Sequence, residues 1–281
     1  MNLIEIIKVI VIGIVEGITE WLPVSSTGHL ILLENFWPLN QSPEFIEMFN
    51  VVIQLGAIMA VIVLFFHKLN PFSPKYDKSE KHEIWELWLK VLIATVPAAI
   101  LGLLFDDWLD EKFYNFETVA CTLIIYGILF IVVENWNRTR RPKVKQFYSM
   151  TYQTALLIGG FQILALIPGT SRSGATIIGA MILGCSRYIA AEFSFFLAIP
   201  VMFGASGLKV VKFVKDTGGF FSTEEMIILC LGMFVAFVVS LICIKMLMGF
   251  VKRHDFKIFG YYRIALGILL LAVWLVPMVL S

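Results

Sequence analysis

Glu16 and Glu20 lie four residues apart in an apolar stretch, and the turn Pro23-Val-Ser25-Ser26-Thr27-Gly28-His29 follows directly. That spacing sets both carboxyl groups on one face of a helix, about 5–6 Å apart at Cβ. Two like charges so close in a medium of low polarity do not both stay ionised without a cation or water between them. The pair therefore reads as a divalent-metal or proton-handling group. Hydroxyls within a few residues of an imidazole supply a nucleophile and an acid or base. A second polar segment follows much later: Pro168-Gly-Thr-Ser171-Arg172-Ser173-Gly-Ala-Thr176. Pro and Gly end the incoming helix, Gly174 frees the backbone, and the next helix is expected to start near Ala175–Thr176. Amides at a helix N-terminus, hydroxyl donors and one guanidinium fork suit a phosphate or carboxylate. Walker A spacing is absent, which argues against nucleotide hydrolysis.

The elements that carry these groups are membrane helices. Of 281 residues, 59% are hydrophobic and only 15% charged, with mean hydropathy +0.85. Soluble domains run nearer 45–50% and about 25%. A net charge of +1 gives no reason to expect nucleic acid as a partner. Cys121, Cys185, Cys230 and Cys243 show no paired spacing and read as small core hydrophobes. The N-terminus lacks a basic leader, and Glu5, Glu16 and Glu20 interrupt its apolar run, so a cleaved signal is not expected. A charge at the centre of a membrane helix costs roughly 2.5–3.5 kcal/mol on insertion scales, so buried ionisable groups point to function. His29 is the one histidine of four placed at membrane depth, with His67, His82 and His254 in loops.

Residues 1–37 are expected to form a re-entrant hairpin, helical as far as Trp21 and broken at Pro23. Spans follow at Met48–Phe66, Trp85–Phe105 with a kink at Pro97, and Thr118–Val133. A second broken segment covers Thr151–Ile167 and Thr176–Leu183, and then Phe193–Leu208, Met226–Phe250 and Ile264–Leu280 cross. Lysine-rich and arginine-rich loops (Lys68 to Lys81; Arg138, Arg140, Arg141, Lys143, Lys145; Lys252 to Arg263) mark one side as cytoplasmic, and the acidic loop Asp106–Glu117 marks the other. Lys209, Lys212 and Lys215 break this rule. A shift of 146 residues sets Gly13 on Gly159, Glu16 on Gln162, Ser25 on Ser171, Thr27 on Ser173, Gly28 on Gly174 and Ile31 on Ile177. Three spans per copy is odd, so the second copy enters inverted, with both breaks near the midplane. The fold expected is all-α integral membrane: a single domain over 1–281, with repeats at about 1–137 and 147–281.

Glu16-x-x-x-Glu20 with the Pro23–His29 turn, and later Pro168-Gly-x-Ser-Arg-Ser-Gly-x-Thr176, resemble the paired signatures of the bacterial undecaprenyl pyrophosphate phosphatase family, the bacitracin-resistance type. The likeness extends over nearly the whole chain. It implies an inner-membrane enzyme that removes the terminal phosphate of C55 undecaprenyl diphosphate, from a site facing the periplasm, with Mg²⁺ or Ca²⁺ as cofactor. The other membrane phosphatases of this lipid carry Ser-Arg-x5-His-x3-Asp, and Ser171-Arg172 lacks that continuation. Taken with the residue reading, the resemblance suggests roles. Arg172, Ser171, Ser173 and Thr176 hold the diphosphate. Ser26 is the expected nucleophile, with Thr27 or His29 as alternatives, and Ser25 and Thr27 as substrate contacts. His29 shuttles the proton, and Glu16 and Glu20 bind the metal or orient water. Gln162 lines the cavity, and Arg263 reaches a phosphate. The expected partners are the polyprenyl diphosphate and the bilayer, and the sequence leaves a homodimer open. An inverted-repeat transporter or flippase of a lipid phosphate or other anion is the competing reading.

Overall fold

The computed structural model describes residues 2–280, with the side chains at 106, 107, 110 and 276–280 outside that description. The described chain is built of helices α1 (Leu3–Thr19), α2 (Ser26–Phe36), α3 (Pro43–Leu64), α4 (Phe66–Leu69), α5 (Lys78–Phe113), α6 (Phe116–Asn137), α7 (Tyr152–Ile163), α8 (Arg172–Ile182), α9 (Arg187–Thr217), α10 (Thr223–Phe250) and α11 (Lys257–Leu280). Among the described residues, α3, α5, α6, α9, α10 and α11 are long and apolar enough to cross a membrane. Their outer faces are apolar: Leu104 is 69% exposed, Ile242 57% and Met246 68%. Outward-facing hydrocarbon of this extent belongs in lipid. The chain is a multi-pass membrane protein.

The helices outrun their hydropathy windows at both ends, because charged turns in water remain good helix. Polar caps set the true limits. The Ser42 side chain accepts from the Phe45 N–H with Pro43 in the first turn, and Ser222 and Glu225 form a reciprocal capping box. The expected acidic loop at 106–117 is instead mostly α5, which runs on to Phe113. The side chains of Asp106, Asp107 and Asp110 fall outside the described set. Pro97 sits within that helix. The first helix ends at Thr19, two residues before the expected stop at Trp21. Lys209, Lys212 and Lys215 belong to α9, and Lys209 and Lys212 pair with Glu47 at 2.9 and 3.6 Å, so a carboxylate offsets those misplaced charges. Cys185 is buried as expected. Cys121 and Cys230 are exposed on outward faces, which corrects their reading as core residues, and all four cysteines are free.

In each broken pair, the chain near or before its start is bonded to the chain just past its end. At the first, Lys8 Nζ donates to the Pro38 carbonyl at 2.5 Å, and the Asn40 N–H donates to Glu5 at 3.1 Å. At the second, the Lys143 and Val144 N–H groups, eight or nine residues before α7 starts at Tyr152, donate to the Gly184 carbonyl just past α8. Packing crosses between the halves of the chain. A Cβ on Gly13 would lie 2.9 Å from Val235 of α10, and one on Gly17 2.8 Å from the Ala236 carbonyl. A Cβ on Gly159 would lie 2.2 Å from the Ala94 carbonyl of α5. Small residues at these positions let helices approach backbone to backbone. Thus α1 lies on α10 as α7 lies on α5.

Candidate functional site

The two breaks are made by the same local device. Ser25 (φ 72°) and Ser171 (φ 69°) are the non-glycine residues with positive φ among those described. Such conformations cost on the order of 1–3 kcal/mol each and persist only where surrounding contacts enforce them. Here each serine caps the helix that follows: the Ser25 hydroxyl accepts from the Gly28 N–H, and that of Ser171 from the Gly174 N–H. Helix α8 therefore starts at Arg172, three residues earlier than the sequence suggested, with Arg172 and Ser173 in its first turn.

Glu20 sits where the breaks meet. Its Oε1 accepts from Arg172 Nη2 at 3.0 Å, and its Oε2 accepts from the Ser26 hydroxyl at 3.0 Å. The Ser173 hydroxyl donates to the Glu20 carbonyl at 3.2 Å and lies 3.2 Å from the Ser171 hydroxyl. Arg172 is aimed from the far side as well: Nη1 donates to the Ser194 carbonyl at 2.7 Å. The Ser194 hydroxyl bonds that of Thr176 at 2.7 Å, and Thr176 in turn donates to the Arg172 carbonyl. All of these side chains are buried or nearly so. A carboxylate clamped between a guanidinium and a hydroxyl in a water-poor site is equipped to take a proton from that hydroxyl.

Arg263 was expected at the end of a cytoplasmic loop. It lies inside α11, fully buried, and donates to the carbonyls of Pro23 at 3.2 Å and of Gly169 and Thr170 at 2.9 Å each. Those carbonyls are the ones freed where the helices break, so Arg263 ties one break to the other. His29 is likewise committed. Nδ1 lies 2.7 Å from the Ser25 carbonyl and Nε2 lies 2.7 Å from the Tyr262 hydroxyl. A carbonyl only accepts, so the proton is assigned to Nδ1, and Nε2 accepts from tyrosine. Ser26 bonds Glu20, not His29. Thr27, half-buried beside Ser26, carries no side-chain hydrogen bond among the described residues.

The buried polar atoms without hydrogen-bond partners among the described residues include both oxygens of Glu16, both amide atoms of Gln162, and Nε of Arg172 and of Arg263. Buried groups of this kind call for a ligand, an ion or water. The Glu16 carboxyl is close enough to that of Glu20 and to the Arg172 guanidinium for their charges to act on it. Its free oxygens are hard donors that fit Mg²⁺ or Ca²⁺. No group of three or more His, Cys, Asp or Glu side chains gathers among the described residues.

The structure thus brings Glu16, Glu20, Ser26, Arg172, Ser171, Ser173 and Thr176 together, with Ser25 capping at their edge. Sequence reasoning missed Ser194 and Tyr262, which align Arg172 and His29. Each is an ordinary residue of an apolar helix, and no spacing rule marks it.

Fold and site together define a polytopic membrane protein with an acidic, guanidinium-bearing centre buried among broken helices. Residues 9–269 match the family of bacitracin resistance protein BacA, and the chain belongs to that family. It is 60% identical over 268 residues to an undecaprenyl-diphosphatase of Enterococcus faecalis, covering 95% of this chain and 97% of the relative. It is 61% identical over 273 residues to one of Acetivibrio thermocellus, covering 97% and 99%. A third, from Desulfitobacterium hafniense, is 58% identical over 272 residues, covering 96% of each.

Proposed function

We infer that the chain is an undecaprenyl-diphosphatase: it hydrolyses the terminal phosphate of a C55 polyprenyl diphosphate and returns the monophosphate carrier to cell-wall synthesis. The observation that carries the chemistry is Ser26 Oγ donating to Glu20 Oε2 while Arg172 holds the other oxygen of the same carboxylate. In this reading the Ser26 oxygen attacks the terminal phosphorus as its proton passes to Glu20. The bridging P–O bond breaks and the polyprenyl monophosphate leaves. Glu20 gives that proton up to the departing monophosphate; water then attacks the phosphorus of the phosphoserine as Glu20 takes a proton from it, the Ser26 Oγ–P bond breaks, and the proton returns to Ser26 Oγ as inorganic phosphate departs. Arg172 Nε and the hydroxyls of Ser171, Ser173 and Thr27 receive the charge of the phosphoryl oxygens, which is where such reactions are accelerated. Glu16, with Glu20 beside it, would hold a Mg²⁺ or Ca²⁺ ion, whose charge neutralises the diphosphate. His29 and Arg263 act here as positioning residues.

Oppositely oriented repeats, each opening with a re-entrant hairpin, account for the paired observations. Shifted by 146 residues, α2 (Ser26–Phe36) falls on α8 (Arg172–Ile182) at both ends, and Ser25 on Ser171. In each hairpin the chain near or before its start is bonded to the chain just past its end, and each packs its first helix on the other half of the chain. The site would open toward the outer face of the inner membrane, a reading that α6 supports. Thr122 of that helix donates to the Pro168 carbonyl, and Leu123 faces Gly28. Both lie roughly 20 Å along the helix, at 1.5 Å per residue, from its end at the arginine-rich loop, which the charge rule makes cytoplasmic. The test is phosphate release by the purified protein from undecaprenyl diphosphate in detergent. One phosphate per lipid is expected, and none from a folded, cation-supplied preparation would refute the reading and favour transport.

A further inference from the structure

The lysine-bearing end of the molecule holds a cavity that shares no residue with the site above. Between the end of α3, the short α4 and the start of α5 lies a recess of about 350 Å³ walled by Ile62, Leu69, Trp85, Trp88 and Ile199. Its rim faces outward: Phe66 is 50% exposed, Phe72 76% and Trp85 52%. The Trp88 indole N–H is already spent on the Leu69 carbonyl at 2.8 Å, so the wall presents hydrocarbon. Lys90, one turn deeper on α5, bonds the Phe147 carbonyl just after the arginine-rich loop, which fixes this end of the molecule.

Lys78, Lys81, Trp85 and Trp88 stand at i, i+3, i+7 and i+10 of α5 and so share one helix face. The helix face that brings the two tryptophans to the recess therefore continues outward to two lysines, exposed or half-exposed. Neither pairs with a carboxylate among the described residues, unlike Lys68 on Glu192 and Lys90 on Glu86. Tryptophans at this level mark the membrane–water boundary.

We propose that the recess binds one anionic phospholipid of the bilayer, an acyl chain in the cavity and the phosphate at Lys78 and Lys81. Basic residues at a membrane surface strengthen anionic-lipid binding by on the order of five-fold each, so the pair contributes on the order of twenty-fold. The test reconstitutes the full chain in phosphatidylcholine vesicles containing chain-brominated phosphatidylglycerol or chain-brominated phosphatidylcholine, and reads tryptophan quenching. Quenching is expected at far lower mole fractions of the glycerol lipid. That preference disappears in Trp85→Phe/Trp88→Phe. It falls to a few-fold or less in Lys78→Gln/Lys81→Gln, whose thermal unfolding matches the unsubstituted protein. Equal quenching by the two lipids, or a preference that survives the lysine substitutions, overturns the proposal. So does a dimer whose indoles are shielded from both lipids, since a second copy would then fill the recess.

Discussion

Replacing Glu20 by Gln keeps the shape of the site and removes one function from it. The carboxylate now serves two donors, Arg172 Nη2 and Ser26 Oγ, each at 3.0 Å. A glutamine has one acceptor oxygen and one donor amide, so it can keep Arg172 while turning its NH₂ toward the Ser26 oxygen. The ion pair becomes a neutral hydrogen bond, a loss of about 1–2 kcal/mol of stability. The larger effect is chemical, because the amide takes no proton from serine. Loss of a positioned general base lowers kcat by about 10²–10⁴, or roughly 3–5 kcal/mol of barrier. The two effects separate in a paired measurement of phosphate release and thermal unfolding on the same detergent preparation. A folded variant with kcat down a hundred-fold or more and KM little changed is expected. A folded variant within three-fold of the unsubstituted rate would refute the role given to Glu20.

Glu16→Gln should raise the divalent-cation concentration needed for half-maximal activity, and chelation should silence the unsubstituted enzyme reversibly; activity indifferent to both would remove the cation from the scheme. Gly159→Ala puts a Cβ 2.2 Å from the Ala94 carbonyl, whereas Gly160→Ala meets nothing within 4 Å. The first should lower stability by about 1–3 kcal/mol and the second leave thermal unfolding nearly unchanged. Glu134 accepts from Arg187 Nε and Nη2 and from the Phe256 N–H. Glu134→Gln should cost about 1.5–3 kcal/mol through lost charge-assisted bonds, with phosphate release per folded molecule intact, since it lies at the opposite end of α6 from the breaks.

Much of this was legible because membranes penalise polar residues that have no use. The two hydroxyl-rich breaks stand out against apolar surroundings, and the 146-residue shift that aligns Ser25 with Ser171 also aligns the helices those serines cap. Helix ends were less legible. Hydropathy registers the apolar middle of α5 but not its charged turns, which are stable helix in water up to the Asn115 cap of α6. The burial of Arg263 within α11 was hidden for a different reason. Its sequence neighbours look like a basic loop, and its partners are three backbone carbonyls, which carry no side-chain signature. The same limit hid Ser194 and Tyr262. Ser26 was identifiable as a hydroxyl near an acid and an imidazole, but the choice of Glu20 over His29 as its partner needed the geometry of the turn.

The central claim is that Ser26 carries the phosphoryl group while Glu20 takes its proton. Rapid acid quench of the enzyme turning over a lipid labelled in its terminal phosphate, followed by peptide mapping, tests it most directly. Label on Ser26, absent in Ser26→Ala and strongly reduced in Glu20→Gln, is the predicted result; label on Thr27 or His29 would contradict it.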